Sequence, residues 1–387
     1  MEGRMKAAPL LLASLFATAA HAADYKPVRC DMARPYAGAP LLSPAGRLDL
    51  RVSGDLDGDL DEAAAARLKK AFQQAMAASQ ARSLTVAVGI PGIGLWSAEG
   101  TPEGGPPAAP LHYWASAGKT LTALTVLKLV ETGKLSLHDP IAKFVAGVPN
   151  GSVITIEMLL NHTSGLFSIN EDLQVRRRER VTLEESLHVL RRHGAMFCPG
   201  EQWRYTNSGY DLLGRIIEIV EQRPFDQALT AHIVAPLGLR QLRVLRPDDP
   251  ATDIAPLSSS NPAEPALDPR IPGAAGPLAA KAVDVVRFWH AVLSDKIVSR
   301  ATREQMLAHL YPMFGKAPYY GLGVMVYEVP EDGAASQLWV GHSGGAPGVK
   351  AMFAYAPLDN VFVAVALSGD GSAEATAYLL LRALRAP

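Results

Sequence analysis

Apolar residues along this chain recur at two spacings, and the spacing changes with position. LTVAVGI and GLWSAEG alternate with the period of a strand and flank a turn at Pro91 and Gly92, which predicts a hairpin. Upstream, EAAAARLKKAFQQAMAA has helical period from Glu62 to about Ala78. The aspartates before it mimic a calcium loop. Gly58 sits at the wrong offset, however, and no Glu holds the twelfth position, so they read as acidic residues at a helix N-terminus. From residue 113 to about 250 helical patterns dominate. In YWASAGKTLTALTVLKLVETGKLSL, Leu121, Leu124, Leu127, Val130 and Leu135 fall near one helical face, with Gly133 and Lys134 as a stop. TIEMLLNHTSGL, LEESLHVLRRH, SGYDLLGRIIEIVEQ and FDQALTAHIVAPLGL continue the helical stretch. A Pro-rich loop of surface composition covers residues 247–277, and AKAVDVVRFWHAVLSD returns to helix. The last portion carries four strand-like runs, YGLGVMVYEV, SQLWVGH, KAMFAYAP and NVFVAVALSG, before a final helix, AEATAYLLLRALR.

Strands near both ends with helices between predict an α/β fold: an antiparallel sheet flanked by helices, with a helical domain inserted. The expected division is residues 23–115 with 278–387 for the sheet-bearing domain and 116–277 for the insert. A length of 387 residues, 48% hydrophobic and 19% charged, suits one large domain or two with a sizeable core. A net charge of -1 gives no reason to expect nucleic acid or an anionic membrane as partner. Arg4 and Lys6 precede an apolar run that ends in small residues at Ala20 and Ala22, the pattern of a secretory signal over residues 1–22. The mature chain is therefore expected to be periplasmic or secreted, with no later segment apolar enough to span a membrane. Two cysteines, Cys30 and Cys198, could bridge in such a compartment, although their separation in space is not readable from sequence. The residues before Cys30 do not suit lipidation. The run RRRER, Arg176 to Arg180, reads as a solvated helix face.

Several chemistries can be set aside. GHSGG, Gly341 to Gly345, matches the G-x-S-x-G nucleophile elbow, but no histidine follows His342 and a strand rather than a helix comes next. Zinc, Walker A and dinucleotide patterns are missing, and the ten histidines are scattered, so no metal or organic cofactor is expected. His162, within LLNHTSGL, is a candidate site residue or a packed loop histidine. A different constellation has more chemical sense. Ser116 and Lys119 stand at i and i+3, on one face of a helical start. The Ser116 N–H, unpaired at a helix start, suits a developing oxyanion, and burial would lower the Lys119 pKa towards that of a base. Tyr205-Thr206-Asn207 precede a helix whose Ser208 and Asp211 form a capping-box pattern, which leaves Asn207 free for substrate and Tyr205 free to pass a proton. His342, Ser343 and Gly344 end a strand in VGHSGGAPGVK, where dense glycine allows close approach and the Gly345 N–H is a candidate second oxyanion donor.

S-A-G-K at Ser116 to Lys119, Y-T-N at Tyr205 to Asn207 and H-S-G at His342 to Gly344, in this order, resemble class C β-lactamases, D-alanyl-D-alanine carboxypeptidases and related esterases and D-aminopeptidases. LLNHTSGL, HIVAPLGL, YGLGVMV and GHSGGAPG add to the likeness, which covers about residues 60 to 385. The resemblance implies an α/β sandwich with an all-α insert and a site at their junction. It implies that Ser116 is acylated, that Lys119 and Tyr205 manage the proton, and that Asn207, His342, Ser343, Gly344 and Gly345 line the substrate site. The expected substrate is a small molecule or peptidoglycan peptide, a D-alanyl peptide, ester or β-lactam. Class C β-lactamases usually carry Lys where this chain has His342, a departure that favours the carboxypeptidase, aminopeptidase and esterase branches. The alternative is a non-catalytic binding or structural member of the same fold.

Overall fold

The computed structural model describes residues 25–44, 48, 50–102, 111–172, 174–175, 181–261, 266–331 and 334–385. The expected signal segment 1–22 and the RRRER run lie outside them. In chain order the strands are β1 (Ser83–Ile90), β2 (Gly94–Gly100), β3 (His112–Tyr113), β4 (Leu242–Val244), β5 (Leu278–Ala280), β6 (Tyr311–Pro312), β7 (Tyr319–Tyr320), β8 (Met325–Glu331), β9 (Ala334–Ala346), β10 (Val349–Ala356) and β11 (Val361–Ser368). The α-helices are α1 (Glu62–Ser79), α2 (Lys119–Glu131), α3 (Ile156–Leu160), α4 (Leu183–His193), α5 (Asn207–Glu221), α6 (Phe225–Leu229), α7 (Ala282–Leu293), α8 (Arg300–Met306) and α9 (Ala373–Arg385).

Eight strands form one antiparallel sheet in the order β2-β1-β11-β10-β9-β8-β7-β6. The N-terminal β1 therefore pairs with the C-terminal β11, Ser83 opposite Ser368, as strands at both chain ends predict. Because side chains alternate across a strand, each face of the sheet supplies its own core. Leu84, Val86 and Val88 of β1 and Val363, Val365 and Leu367 of β11 pack with Leu68 and Ala71 of α1 and Ala377 and Leu380 of α9. The intervening Ala87, Phe353, Phe362 and Ala364 pack against Val285, Phe288 and Trp289 of α7. With both faces covered, every residue of β11 is buried, so NVFVAVALSG reads as a continuous apolar run.

The helices between β3 and β4 join the α7-side core through Leu121, Leu124, Leu159, Leu213 and Ile217. Here the structure departs from pattern in four places. α2 is not one-faced, since every residue from Lys119 to Leu127 is buried. Its threonines fit there because their hydroxyls reach backbone carbonyls, Thr120 to Gly323 and Thr122 to Ala274. The α-helix also starts at Lys119, and Ser116 lies on a preceding 3₁₀ turn, Ala115–Gly118. TIEMLLNHTSGL is helical only over Ile156–Leu160, because Asn161 turns its side-chain oxygen onto the Thr163 N–H and hydroxyl and ends the helix. Finally, the Ser208–Asp211 capping box does not form. α5 begins at Asn207 with Thr206 as N-cap, and the Ser208 hydroxyl donates to the Phe167 carbonyl and accepts from the Ile169 N–H.

The N-terminal segment crosses the helical region as a strap. The Val28 N–H donates to Ala195 O, Arg34 to Pro199 O and Ala37 to Glu201 O, and Cys30 is disulfide-bonded to Cys198. Among the described residues no helix is long and apolar enough to cross a membrane.

Candidate active site

The 3₁₀ turn bearing Ser116 is held from below. The Trp114 N–H donates to Leu278 O and its indole N–H to Ala280 O, fixing the turn to β5. Ala115 adopts φ 46°, a left-handed conformation costly for a residue with a Cβ, so the chain arrives at Ser116 under strain. Such strain is common where a side chain must be presented in one direction.

Lys119 follows one turn later, fully buried. Its Nζ lies 3.1 Å from Ser116 Oγ, 2.7 Å from Asn207 Oδ1 and 2.5 Å from the Ala275 carbonyl oxygen. An ammonium group can donate to all three acceptors. A neutral amine donates two hydrogens and aims its lone pair at the third neighbour, and Ser116 is the one of the three with a proton to give. Burial, opposed by the Asp211 carboxylate, lowers the Lys119 pKa to about 7. Asp211 stands one turn beyond Asn207 on α5, and desolvation, opposed by Lys119, pushes its carboxyl up to about 7.

Tyr205 completes the group. Burial raises its pKa well above that of free tyrosine, with the Ser116 side chain opposing the rise, so it stays a protonated phenol at neutral pH. Its ring also lies 4.9 Å from Lys119 Nζ. Asn207 is fixed through its backbone, whose N–H donates to Ser168 Oγ at 2.9 Å.

The HSG strand faces the same turn. β8 stops pairing with β9 at Gly341, and from there this edge of β9 turns to the Ser116 turn instead of to a strand. A Cβ on Gly344 would come within 2.2 Å of Trp114 O and 2.8 Å of the Ser116 and Ala117 nitrogens, so only glycine fits. Gly345 is the next residue along this edge, opposite Lys350 of β10. The structure thus brings Ser116, Lys119, Tyr205 and Asn207 together and sets Gly344 and Gly345 beside them.

His342 and Ser343 are placed differently. His342 is fully buried, with Nε2 2.9 Å from the Tyr320 hydroxyl and Nδ1 2.7 Å from Ser343 O. A carbonyl can only accept, so Nδ1 carries the proton and Nε2 accepts from Tyr320. Burial lowers the His342 pKa to about 3. Ser343 is also buried, its hydroxyl 3.6 Å from Met325 Sδ. Neither side chain opens to solvent.

Sequence reasoning passed over several members of this site. Tyr320 lies in the YGLGVMV stretch, where a tyrosine before glycines carries no chemical signature of its own. The Ala275 carbonyl comes from the end of the Pro-rich loop, and a backbone acceptor leaves no trace in sequence. Asp211 was legible as a polar residue, but its pattern suggested a cap.

The Beta-lactamase family model matches residues 68–386. The chain belongs to that family. Among curated Beta-lactamase relatives, it is 28% identical over 223 residues to the putative penicillin-binding protein PbpX of Bacillus subtilis, a match covering 55% of this chain and 53% of that one. Penicillin-binding protein 4* of the same species is 29% identical over 272 residues, covering 62% and 57%. The matches thus span little more than half the length of these two relatives. The D-alanyl-D-alanine-carboxypeptidase/endopeptidase AmpH of Escherichia coli is 28% identical over 275 residues, covering 66% and 70%. Among solved structures, a D-stereospecific amidohydrolase from Streptomyces sp. superposes with a TM-score of 0.69 at 25% identity, covering 82% of this chain and 98% of that one. The D-amino acid amidase of Ochrobactrum anthropi has the same fold, with a TM-score of 0.69 at 21% identity over 85% and 99% of the two chains.

Proposed function

We propose that this chain is an exported serine hydrolase that cleaves amide or ester bonds through an acyl-enzyme on Ser116, with D-amino-acid amides and D-alanyl peptides as the favoured substrates. One observation carries the reading: Lys119 Nζ lies 3.1 Å from Ser116 Oγ and is buried enough to be half-neutral near pH 7. In its neutral form Lys119 takes the Ser116 proton as Oγ attacks the substrate carbonyl. The Ser116 and Gly345 N–H groups receive the oxyanion. Tyr205, a protonated phenol, passes a proton to the leaving nitrogen or oxygen. Water then attacks the ester with the same groups in reverse.

His342 supports amides and esters over β-lactams. It is neutral, and both its nitrogens are engaged within the protein, so it supplies no fixed positive charge for a substrate carboxylate. AmpH and the two amidohydrolase structures, by their names, act on D-configured peptide or amide substrates.

The test is intact mass after acid quench, seconds after mixing with p-nitrophenyl acetate and separately with a penicillin, beside turnover of D-phenylalanine amide. The expected result is an acyl adduct in the parent protein and none in Ser116→Ala. An equal adduct in Ser116→Ala, or no adduct with any reagent and no turnover, overturns the reading and leaves a non-catalytic member of the family.

A further inference from the structure

His162 has no part in the proton transfers above, yet it is wrapped around the residue that makes one of them. Its carbonyl accepts from the Arg204 N–H at 3.0 Å, and its ring Nδ1 accepts from the Thr206 N–H at 3.2 Å. Those are the residues on either side of Tyr205. Its ring lies 4.3 Å from the Tyr205 ring, tilted by 36°. One residue therefore holds the chain around Tyr205 at three points: the N–H of the residue before it, the N–H of the residue after it and the face of its ring.

The other faces of His162 are closed by aromatics, with ring centroids 4.5 Å from Tyr320, 5.3 Å from Tyr210 and 5.9 Å from Trp203. A backbone N–H can only donate, so Nδ1 is bare and the proton sits on Nε2. Among the described residues Nε2 has no hydrogen-bond partner, and the backbone adopts φ 65°. Histidine tolerates that conformation better than most residues with a Cβ. Even so, an unsatisfied N–H and a left-handed backbone in one buried residue are unfavourable terms that a plain core residue would avoid. Burial, with Lys119 and His342 adding to it, holds the ring far below its ordinary pKa and so neutral, which keeps a second positive charge away from Lys119.

We propose that His162 is the positioning residue for Tyr205, directing the phenol towards Ser116 through the backbone N–H groups of Arg204 and Thr206 and its own ring face. The inference rests on the acyl-serine reading. Without this grip, the loop from Trp203 to Thr206 would keep its place in the fold but lose the register of the phenol. Misplacement of a reacting group by about 1 Å costs on the order of 100-fold in rate.

The experiment measures pre-steady-state acylation of Ser116 by p-nitrophenyl acetate in the parent protein, His162→Gly and His162→Asn. Glycine keeps the left-handed backbone and removes acceptor and ring. Asparagine keeps the backbone and offers Oδ1 in the place of Nδ1. His162→Gly is expected to lose roughly 30- to 100-fold in the acylation rate constant with little change in apparent binding, and His162→Asn to regain much of it. A purely structural histidine would lower the melting temperature of both variants without that split between rate and binding.

If His162→Gly does not fold, ¹⁵N-labelled histidine spectra of the parent protein still decide. A bare Nδ1 and protonated Nε2 from pH 5 to 9 is expected, and an Nδ1-protonated or charged ring in that range overturns the proposal. A parent protein that acylates at Ser116, with His162→Gly acylating equally, overturns this inference alone. A parent that never acylates overturns the functional reading together with it.

Discussion

Ser116 and Lys119 are close in sequence, and for such a pair the question is what makes the amine basic enough to act yet uncharged enough to accept. Lys119 is buried with three acceptors around it, and desolvation outweighs the nearby Asp211. Below about pH 7 the amine is protonated and cannot take the Ser116 proton; above it, the lone pair is available. Acylation should therefore rise with pH through an acid limb near 7, read as kcat/KM against pH. Asp211 holds the Lys119 pKa up, so Asp211→Asn should move that limb to lower pH. An unmoved limb would show that another group sets it. At this scale Ser116, Lys119, Tyr205 and Asn207 could be singled out from the sequence, because their residue types are local and ordered along the chain, and the fold brings the four together. The misreadings came from residues whose meaning is set by distant neighbours. Ser208 looked like a cap but is spent on Phe167 and Ile169, and His342, expected along the substrate site, has both ring nitrogens held by Tyr320 and Ser343.

Between elements, the decisive contact is that of the β9 edge with the 3₁₀ turn. Gly344 is the point of closest approach, and its neighbours there are backbone atoms that cannot swing aside. Gly344→Ala should push β9 away from Ser116 and separate the two N–H groups assigned to the oxyanion. The expected loss is about 100-fold or more in acylation, with most of the melting temperature retained. Wild-type acylation in this variant would mean that the β9 edge does not serve the reaction. Periodicity found the helices Glu62–Ser79 and Leu183–His193 and the hairpin of β1 and β2 almost to the residue, since each has one exposed side or a clear stop. It described α2 less well, because a helix buried all round carries no stripe.

At the scale of the molecule, the disulfide ties the start of the described chain to the loop that leads into Tyr205, only a few residues beyond Cys198. The cross-link closes a long loop, with a sequence separation of 168, so its removal should lower stability by roughly 2–5 kcal/mol. Calorimetry with and without reductant, beside Cys198→Ser, measures this; coincident melts would assign the hold to the strap's backbone hydrogen bonds alone. Whether the cysteines meet was not readable from their spacing, because the strap that joins them has no periodic pattern.

The pairing of β1 with β11 has a consequence for how the molecule comes into being. A ribosome delivers Ser83 long before Ser368, and until residues 361–368 arrive the place between β1 and β10 is vacant. Leu84, Val86 and Val88 must wait without β11 beside them and without α9 against them, next to β2, which has one neighbour in the sheet. Assembly is then a late event that closes the sheet and the helix layer of α1 and α9 together, and so slow and dependent on protection from other chains. A chain that stops short of residue 361 would carry Ser116, Lys119, Tyr205 and Asn207 in full and still lack the strand that joins β1 and β2 to the rest of the sheet.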